Sequence, residues 1–248
     1  MKIGIVGVGH IGKTLAMKLA KAGHDVFVAG SSGPEKIHAD VLATGAQAVT
    51  AQQAVQDKDV IILSIPLNRI PEIAPLFASV SEDTTVIDTS NYYPARDLKI
   101  DSIEAGQVES LWVVQQLGHS IAKAWNAIGS HSLVVNGKPA GSPDRIAIPI
   151  AADRDADREL TMKLVDDTGF DAFNTGSLAN SWRQQPGAPA YCTDLTLTEI
   201  QAVIDTAEKD RLPKRRDLVV AAIMERMSSS TANPNAGFGL RLSRALYM

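Results

Sequence analysis

Short apolar runs and amphipathic segments alternate along the chain. The first run that predicts a strand begins at Lys2, and the others cover residues 24–30, 45–50, 59–66, 84–88, 120–126, 145–151 and 170–174. Between them, segments such as 11–20 and 109–117 carry apolar residues at helical spacing. Strands that alternate with helices in this way predict an α/β fold, a doubly wound and mostly parallel sheet.

Three glycines follow the first apolar run directly and open the first amphipathic segment. Their G-x-G-x-x-G spacing between a strand and a helix is typical of Rossmann-type dinucleotide-binding domains. Gly7 would form the tight turn, Gly9 would let the backbone approach a diphosphate, and Gly12 would let the helix pack closely on the strand. His10 either contacts the cofactor or is an exposed loop histidine. The predicted dinucleotide site therefore comprises Gly7, Val8, Gly9, His10, Ile11 and Gly12.

The loop after the second predicted strand indicates which dinucleotide binds. Domains that bind NAD usually carry an acidic residue at this strand tip, where it binds the ribose 2′-hydroxyl. Here no acidic residue occurs from 26 to 34, whereas Ser31, Ser32 and Lys36 can bind a 2′-phosphate without repelling it. We therefore predict NADP as the cofactor. The alternative is that the two serines only cap the following helix.

The tips of two further strands should complete the cofactor site, because ligands of open α/β sheets bind beyond the carboxyl ends of the strands. Asn91 follows the run 84–88 and is a candidate to bind the nicotinamide ribose or the acceptor. An Asx turn would explain Asn91 equally well. The run 59–66 leads to the other residues predicted to lie against the cofactor, which are Ser64, Ile65, Pro66 and Leu67.

The predicted strand 120–126 contains Lys123 and Asn126, three positions apart. This spacing invites comparison with the Lys-x-x-Asn pair of hydroxyacid dehydrogenases, whose two side chains must face one substrate. Residues three apart on a strand point to opposite faces, so we do not expect a catalytic pair here. Asn126 and Ala127 are instead predicted to line the cofactor site at the end of the strand.

We predict a dinucleotide-binding domain over residues 1–130 and a smaller C-terminal α/β domain over 131–248 that covers the nicotinamide and the acceptor. The irregular segment 176–191 of the second domain is rich in polar and aromatic side chains, which are poor core material. We predict that it binds the acceptor, although a subunit interface would use the same chemistry. The predicted acceptor residues are Trp182, Arg183, Gln184, Pro186 and Tyr191.

Composition and charge exclude several classes of function. The 248 residues are 45% hydrophobic with a net charge of −4, which favours neither a nucleic acid nor a membrane surface as partner. Apolar runs too short to span a bilayer, and a first strand that begins next to Met1, predict a cytoplasmic protein without a signal peptide. The single cysteine, Cys192, excludes an internal disulfide. Residues 228–248 are predicted to be a tail that is mobile or docked on a partner.

With these residues placed, the chain resembles the family of NADP oxidoreductases that act on the deazaflavin coenzyme F420, whose fold recurs in the reductase domain of the STEAP metalloreductases. The resemblance implies an N-terminal Rossmann domain, a smaller C-terminal part that closes over the nicotinamide, and a homodimer. The family often has an arginine where this chain has Ser32, and the absence of that arginine weakens the predicted binding of a 2′-phosphate. The residues that carry the resemblance are Gly7-x-Gly9-x-x-Gly12, Ser31 with Gly33-Pro34-Glu35, Ser64-Ile65-Pro66, Lys123-Ala-Trp-Asn126 and the segment from Gly176 to Gly187.

The resemblance also implies an enzyme that transfers a hydride between NADP(H) and a second bound redox cofactor, F420 or a related deazaflavin or flavin. Such a transfer needs no covalent nucleophile, and we predict no catalytic side chain. Two alternatives stay open. One is an NADPH-dependent reductase of another small-molecule acceptor, such as a quinone, a flavin or a ferric complex; the other is a non-catalytic NADP-binding sensor.

Overall fold

The computed structural model describes residues 1–227 and 235–248, and its centre is one eight-stranded sheet. The order of the strands across the sheet is β3-β2-β1-β4-β5-β6-β7-β8. In chain order they are β1 (Lys2–Val6), β2 (Asp25–Ala29), β3 (Gln47–Ala48), β4 (Val60–Leu63), β5 (Thr85–Asp88), β6 (Ala122–Lys123), β7 (Ala147–Ala152) and β8 (Asp171–Gly176).

Neighbouring strands of this sheet are parallel except for the pair β6 and β7. After β3 at one edge, the chain returns past β1 to form β4, so the strand order reverses between β1 and β4. Ligands of open α/β sheets bind at such a reversal. The predicted fold, a doubly wound and mostly parallel sheet of the Rossmann type, is confirmed.

Helices connect most of the strands. The α-helices are α1 (His10–Lys21), α2 (Ala39–Leu42), α3 (Ala51–Val55), α4 (Ile70–Ile73), α5 (Pro94–Asp97), α6 (Asp101–Glu104), α7 (Glu109–Leu117), α8 (Ser130–Val135), α9 (Asp155–Asp167), α10 (Leu197–Val203), α11 (Leu212–Met227) and α12 (Ala236–Tyr247). Short 3-10 helices occupy Pro34–Lys36, Leu67–Arg69, Ala74–Ser79, Leu178–Gln184, Ile204–Thr206 and Lys209–Arg211.

Two apolar cores lie on opposite faces of the sheet, because successive strand residues point to opposite faces. On β4, Val60 and Ile62 belong to the core that includes residues of α1 and α9. Ile61 and Leu63 belong to the other core, with residues of α3 and α7. The unbroken apolar run that predicted β4 is therefore explained by burial on both faces.

The sheet crosses the predicted domain boundary at residue 130, because β7 and β8 extend it beyond β6. Both strands that the structure describes after residue 130 therefore belong to the same sheet as β1–β6. The predicted strand 120–126 is wrong in length, since β6 covers only Ala122–Lys123. Trp125, two residues further on, has a φ of +54°, a left-handed conformation that does not continue a strand.

Of the predicted tail 228–248, residues 228–234 lie outside the described residues. Residues 236–247 form α12, and Tyr247 near its end is buried in an apolar cluster with residues of α11. This helix is therefore part of the folded body. None of the helices in the described ranges has both the length and the apolar character that crossing a membrane requires.

Candidate functional site

The glycine loop joins β1 to α1 at the point where the strand order reverses. Gly7 has a φ of +105°, and a Cβ at this position would lie 2.1 Å from the backbone oxygen of Ser64. A Cβ at Gly12 would lie 2.0 Å from the backbone oxygen of Gly7. These two glycines are therefore required by the close packing of the loop, the helix and β4.

The surroundings of Gly9 differ from those of Gly7 and Gly12. A Cβ added there would meet no atom within 4 Å, so this glycine borders open space and is not required by packing. Gly9 is the N-cap of α1, where no side chain bonds to the helix end and no acidic residue occupies the first turn. The first N–H groups of α1 and its positive dipole end are suited to an anion such as a diphosphate.

The turn after β2 presents the serines predicted to bind a 2′-phosphate. Ser31, Ser32 and Lys36 are exposed. The N-cap of the short helix Pro34–Lys36 is Gly33, with no side-chain cap, so the alternative that the serines cap this helix is not observed. Glu35, for which no role was predicted from the sequence, folds back over the turn, with both carboxylate oxygens 2.7 Å from where a Cβ of Gly33 would lie.

A cleft of about 330 Å³ lies at the carboxyl ends of the central strands. Leu67 and Ala127, which were predicted to lie against the cofactor at the ends of strands, are not on its surface, and neither are Gly7, Val8, Gly12, Ser31, Ser32 and Lys36. Leu67 is fully buried in the core beneath, and Ala127 is buried with its carbonyl accepting the N–H of Cys192 at 2.8 Å. The predicted residues that do line the cleft are Gly9, His10, Ile11, Ser64, Ile65, Pro66, Asn91, Asn126 and Tyr191.

A chain of amide side chains fixes two of these residues. Asn126 Nδ2 donates to Asn91 Oδ1 at 3.0 Å, and Asn91 Nδ2 donates to the backbone oxygen of Asn126 at 2.9 Å. The fully buried Gln184 donates from Nε2 to Asn126 Oδ1 at 2.9 Å. The Asx-turn alternative for Asn91 is therefore not what holds its side chain, and both asparagines face the cleft in one fixed orientation.

The segment predicted to bind the acceptor is largely placed elsewhere. Gln184 is buried behind Asn126, whose side chain it holds by a hydrogen bond, and Pro186 is also buried. The guanidinium carbon of Arg183 lies 4.2 Å from the centre of the Trp182 ring, and that ring packs against the apolar cluster of α11 and α12. These four residues do not line the cleft, whereas Tyr191, the fifth residue of the predicted acceptor set, does.

A buried ion pair lies directly beneath the asparagines. Lys123 Nζ is 2.5 Å from Asp88 Oδ2 and donates to the backbone oxygen of Ser90 at 2.6 Å. Asp88 also accepts hydrogen bonds of 3.0 Å from the backbone N–H and the hydroxyl of Ser90. The pair therefore fixes the backbone that leads into Asn91. Lys123 is fully buried and not on the cleft surface. The argument against a Lys123–Asn126 pair, that the two lie on opposite faces of one strand, does not hold, because the strand ends at Lys123.

Tyr93 and Arg96 also line the cleft, and neither was predicted from the sequence. The hydroxyls of Tyr93 and Tyr191 lie 2.7 Å apart on its wall, and Arg96 donates to the backbone oxygen of Asn91 at 2.6 Å. Burial raises the pKa of both tyrosines, so they stay neutral, and it raises the pKa of the Cys192 thiol to about 12. Tyr93 and Arg96 follow the tip of β5, and the rule that selected Asn91 would have found them.

Glu109, at the start of α7, gives the site region a pH dependence. Burial raises its pKa from 4.5 to about 7, although Lys123 and the N–H of Tyr92 favour the carboxylate. Since the unfolded chain releases this proton near 4.5 and the folded chain near 7, stability is lost as pH rises between these values. The difference between the two pKa values limits this loss in the free energy of unfolding to about 3 kcal/mol.

We expect Glu109→Gln to remove this dependence. The variant keeps an acceptor for the N–H of Tyr92 but carries no charge. The free energy of unfolding of the variant minus that of the wild type should therefore be about 1–2 kcal/mol larger at pH 8 than at pH 5. Urea denaturation at the two pH values measures this. The exposed Glu225→Gln should show no such pH-dependent gain, and an equal response of the two variants would contradict the assignment.

The amino-terminal part of the chain matches a known family. Residues 2–92 match the family described as NADP oxidoreductase, coenzyme F420-dependent. The YjhV protein of Escherichia coli (strain K12) is 45% identical over 74 residues, which cover 30% of this chain and 54% of that protein. The match thus spans about half the length of this curated relative.

Solved structures extend the similarity beyond the matched segment. A hypothetical protein, SMa0349 from Sinorhizobium meliloti, is 27% identical with a TM-score of 0.68, over 79% of this chain and 96% of that one. A provisionally assigned F420-dependent NADP reductase from Arthrobacter is 17% identical with a TM-score of 0.55, over 73% of this chain and 87% of that one. At that identity, the Arthrobacter protein shows a shared fold.

Proposed function

We propose that the chain is an enzyme that transfers a hydride between NADP(H) and a second bound redox-active ring, because residues 2–92 match the family of F420-dependent NADP oxidoreductases. The observation that carries the proposal is the setting of Gly9. This residue borders open space at the uncapped amino end of α1, beside the cleft that the predicted cofactor residues line.

In this proposal the glycine loop holds the diphosphate through backbone N–H groups, and Ser31 and Ser32 hold the 2′-phosphate. When bound, the nicotinamide supplies or accepts the hydride. Asn91 and Asn126 orient the ring by hydrogen bonds, because their own amides are fixed by each other and by Gln184. The protein accelerates the transfer by positioning two rings and excluding water.

The family match favours F420 or a related deazaflavin or flavin as the second ring. The test is steady-state oxidation of NADPH with F420, FMN and a quinone in parallel. Turnover with F420 would support the family acceptor, and turnover only with another compound would replace it. NADPH binding without turnover on any acceptor would favour the sensor alternative. The cytoplasmic location and the homodimer stay predictions, and sedimentation of the purified chain tests the second.

Glu35 gives a separate prediction about the choice between NADP(H) and NAD(H). Its carboxylate folds over the turn that carries the serines, where it would repel a 2′-phosphate. We expect Glu35→Gln to improve NADPH binding about three- to tenfold, the effect of one partly screened charge, and to leave NADH binding unimproved. Titration calorimetry measures both. Glu159→Gln, an exposed change on α9, is the control, and an equal gain in both variants would contradict the prediction.

A further inference from the structure

A second and larger cavity adjoins the cleft. Its volume is about 1130 Å³, against about 330 Å³ for the cleft. Both are lined by His10, Tyr93, Gly129, Ser130, Tyr191 and Cys192. A ligand in the larger cavity can therefore extend to the wall where an acceptor has to meet the nicotinamide. Its size exceeds what a bare acceptor ring needs, since sites for drug-sized ligands occupy about 300–1,000 Å³.

Two carboxyl-terminal helices give this cavity an apolar wall. α11 contributes Val219, Ile223 and Met224, and α12 contributes Leu240. Met17 of α1 also lines the cavity. Aliphatic and thioether side chains of this kind adapt to flexible apolar groups and offer them no hydrogen bonds. This wall is suited to a hydrocarbon chain.

Of the three lysines that α1 contributes to the cavity, Lys13, Lys18 and Lys21, the first two already have partners. Lys13 forms an ion pair with Asp40. Lys18 Nζ lies 5.5 Å from the centre of the Phe170 ring, and burial lowers its pKa. These contacts reduce the attraction of the cavity for an anionic ligand and favour a ligand that is recognised by the apolar wall.

The wall shared by the two cavities offers a hydrogen-bond donor. In the Tyr93–Tyr191 pair one hydroxyl donates to the other at 2.7 Å, and the second hydroxyl hydrogen is left for another acceptor. A carbonyl oxygen accepts a hydrogen bond more strongly than the neighbouring sulfur of Cys192 does. The ligand that matches both walls therefore has a carbonyl group on a ring and an apolar side chain.

We propose that the protein reduces quinones that carry an apolar side chain, with a quinone oxygen at the Tyr93–Tyr191 pair and the side chain along α11 and α12. This activity rests on the NADP(H) chemistry proposed above and adds an acceptor to it. The C–H bond at nicotinamide C4 breaks and its electron pair moves with the hydride to the quinone. One proton from solvent completes the hydroquinone, so that NADPH is oxidised to NADP⁺ and the quinone is reduced. The hydroxyl pair donates a hydrogen bond to the oxygen that gains negative charge.

The test compares benzoquinones with the same ring and no, one or two isoprenoid units, with NADPH as reductant. We expect KM to fall at least tenfold from the quinone without a side chain to the one with two units, since each buried methylene adds affinity. Met224→Gln should raise the KM of the two-unit quinone at least fivefold relative to that of the quinone without a side chain. Leu218→Gln, on the same helix but outside the cavity, should leave this ratio unchanged.

Four outcomes would overturn the proposal. A KM that does not depend on the side chain would show that the cavity does not hold it. A ratio that changes equally in the Met224 and Leu218 variants would show that the apolar wall is not the contact. Turnover with F420 but with no quinone would overturn the quinone activity and leave the proposed function standing, whereas NADPH binding without turnover on any acceptor would remove both.

Discussion

Replacing Gly9 with alanine is expected to weaken NADPH binding at least 100-fold and to leave the fold intact. Its backbone has φ −67° and ψ −173°, which alanine adopts without strain, and the new methyl group would meet no protein atom within 4 Å. The methyl group would instead occupy the space that the diphosphate needs. A 100-fold loss corresponds to about 3 kcal/mol of binding free energy. Titration calorimetry gives the affinity, and thermal denaturation without ligand gives the stability.

Gly12→Ala is the matched comparison, because here the methyl group would lie 2.0 Å from the backbone oxygen of Gly7. Either α1 must move away from the loop or the protein loses stability, so this variant should lower the melting temperature. In this motif, Gly9 is therefore required for ligand binding and Gly12 for the packing of the helix on the loop. If Gly9→Ala binds NADPH as well as the wild type, the diphosphate does not lie on this loop.

The strands could be predicted where burial on both faces makes the sequence apolar throughout. β4 is such a case, since its four residues are buried. The end of β6 could not be predicted, because Trp125 continues an apolar pattern and only its left-handed φ shows that the strand has ended. The place of β7 and β8 in the first sheet could not be predicted either, because strands look alike in sequence whether they extend one sheet or form a second one.

The site was predicted best where topology alone places a residue. Ser64 and Asn91 follow parallel strands, and the carboxyl ends of such strands meet at one edge of the sheet. Gln184 and Leu67 were assigned to the surface, yet both are buried, since burial depends on which distant elements cover a side chain. The position of the Glu35 carboxylate was not predicted, because its approach to Gly33 depends on a side-chain rotamer. Local pattern therefore locates the cleft, and tertiary contacts decide which side chains reach it.

Replacing Lys123 with methionine is expected to lower the free energy of unfolding by about 3–5 kcal/mol, the usual cost of removing one partner of a buried ion pair. Asp88 would remain fully buried without its counter-ion. The backbone oxygen of Ser90 would also lose its contact with the ammonium group. Urea denaturation at pH 7 measures the change. Lys163→Met, at an exposed position of α9, should change stability by no more than about 0.5 kcal/mol.

A second substitution distinguishes the uncompensated charge from a simple loss of packing. Adding Asp88→Asn to Lys123→Met removes the unpaired carboxylate and keeps a side-chain oxygen that accepts from Ser90. The double variant should therefore be more stable than Lys123→Met alone, by about 1–2 kcal/mol. A double variant no more stable than the single one would mean that Lys123 contributes through packing. Because the pair fixes the backbone that leads into Asn91, the same variants link the stability of this buried pair to the geometry of the cleft.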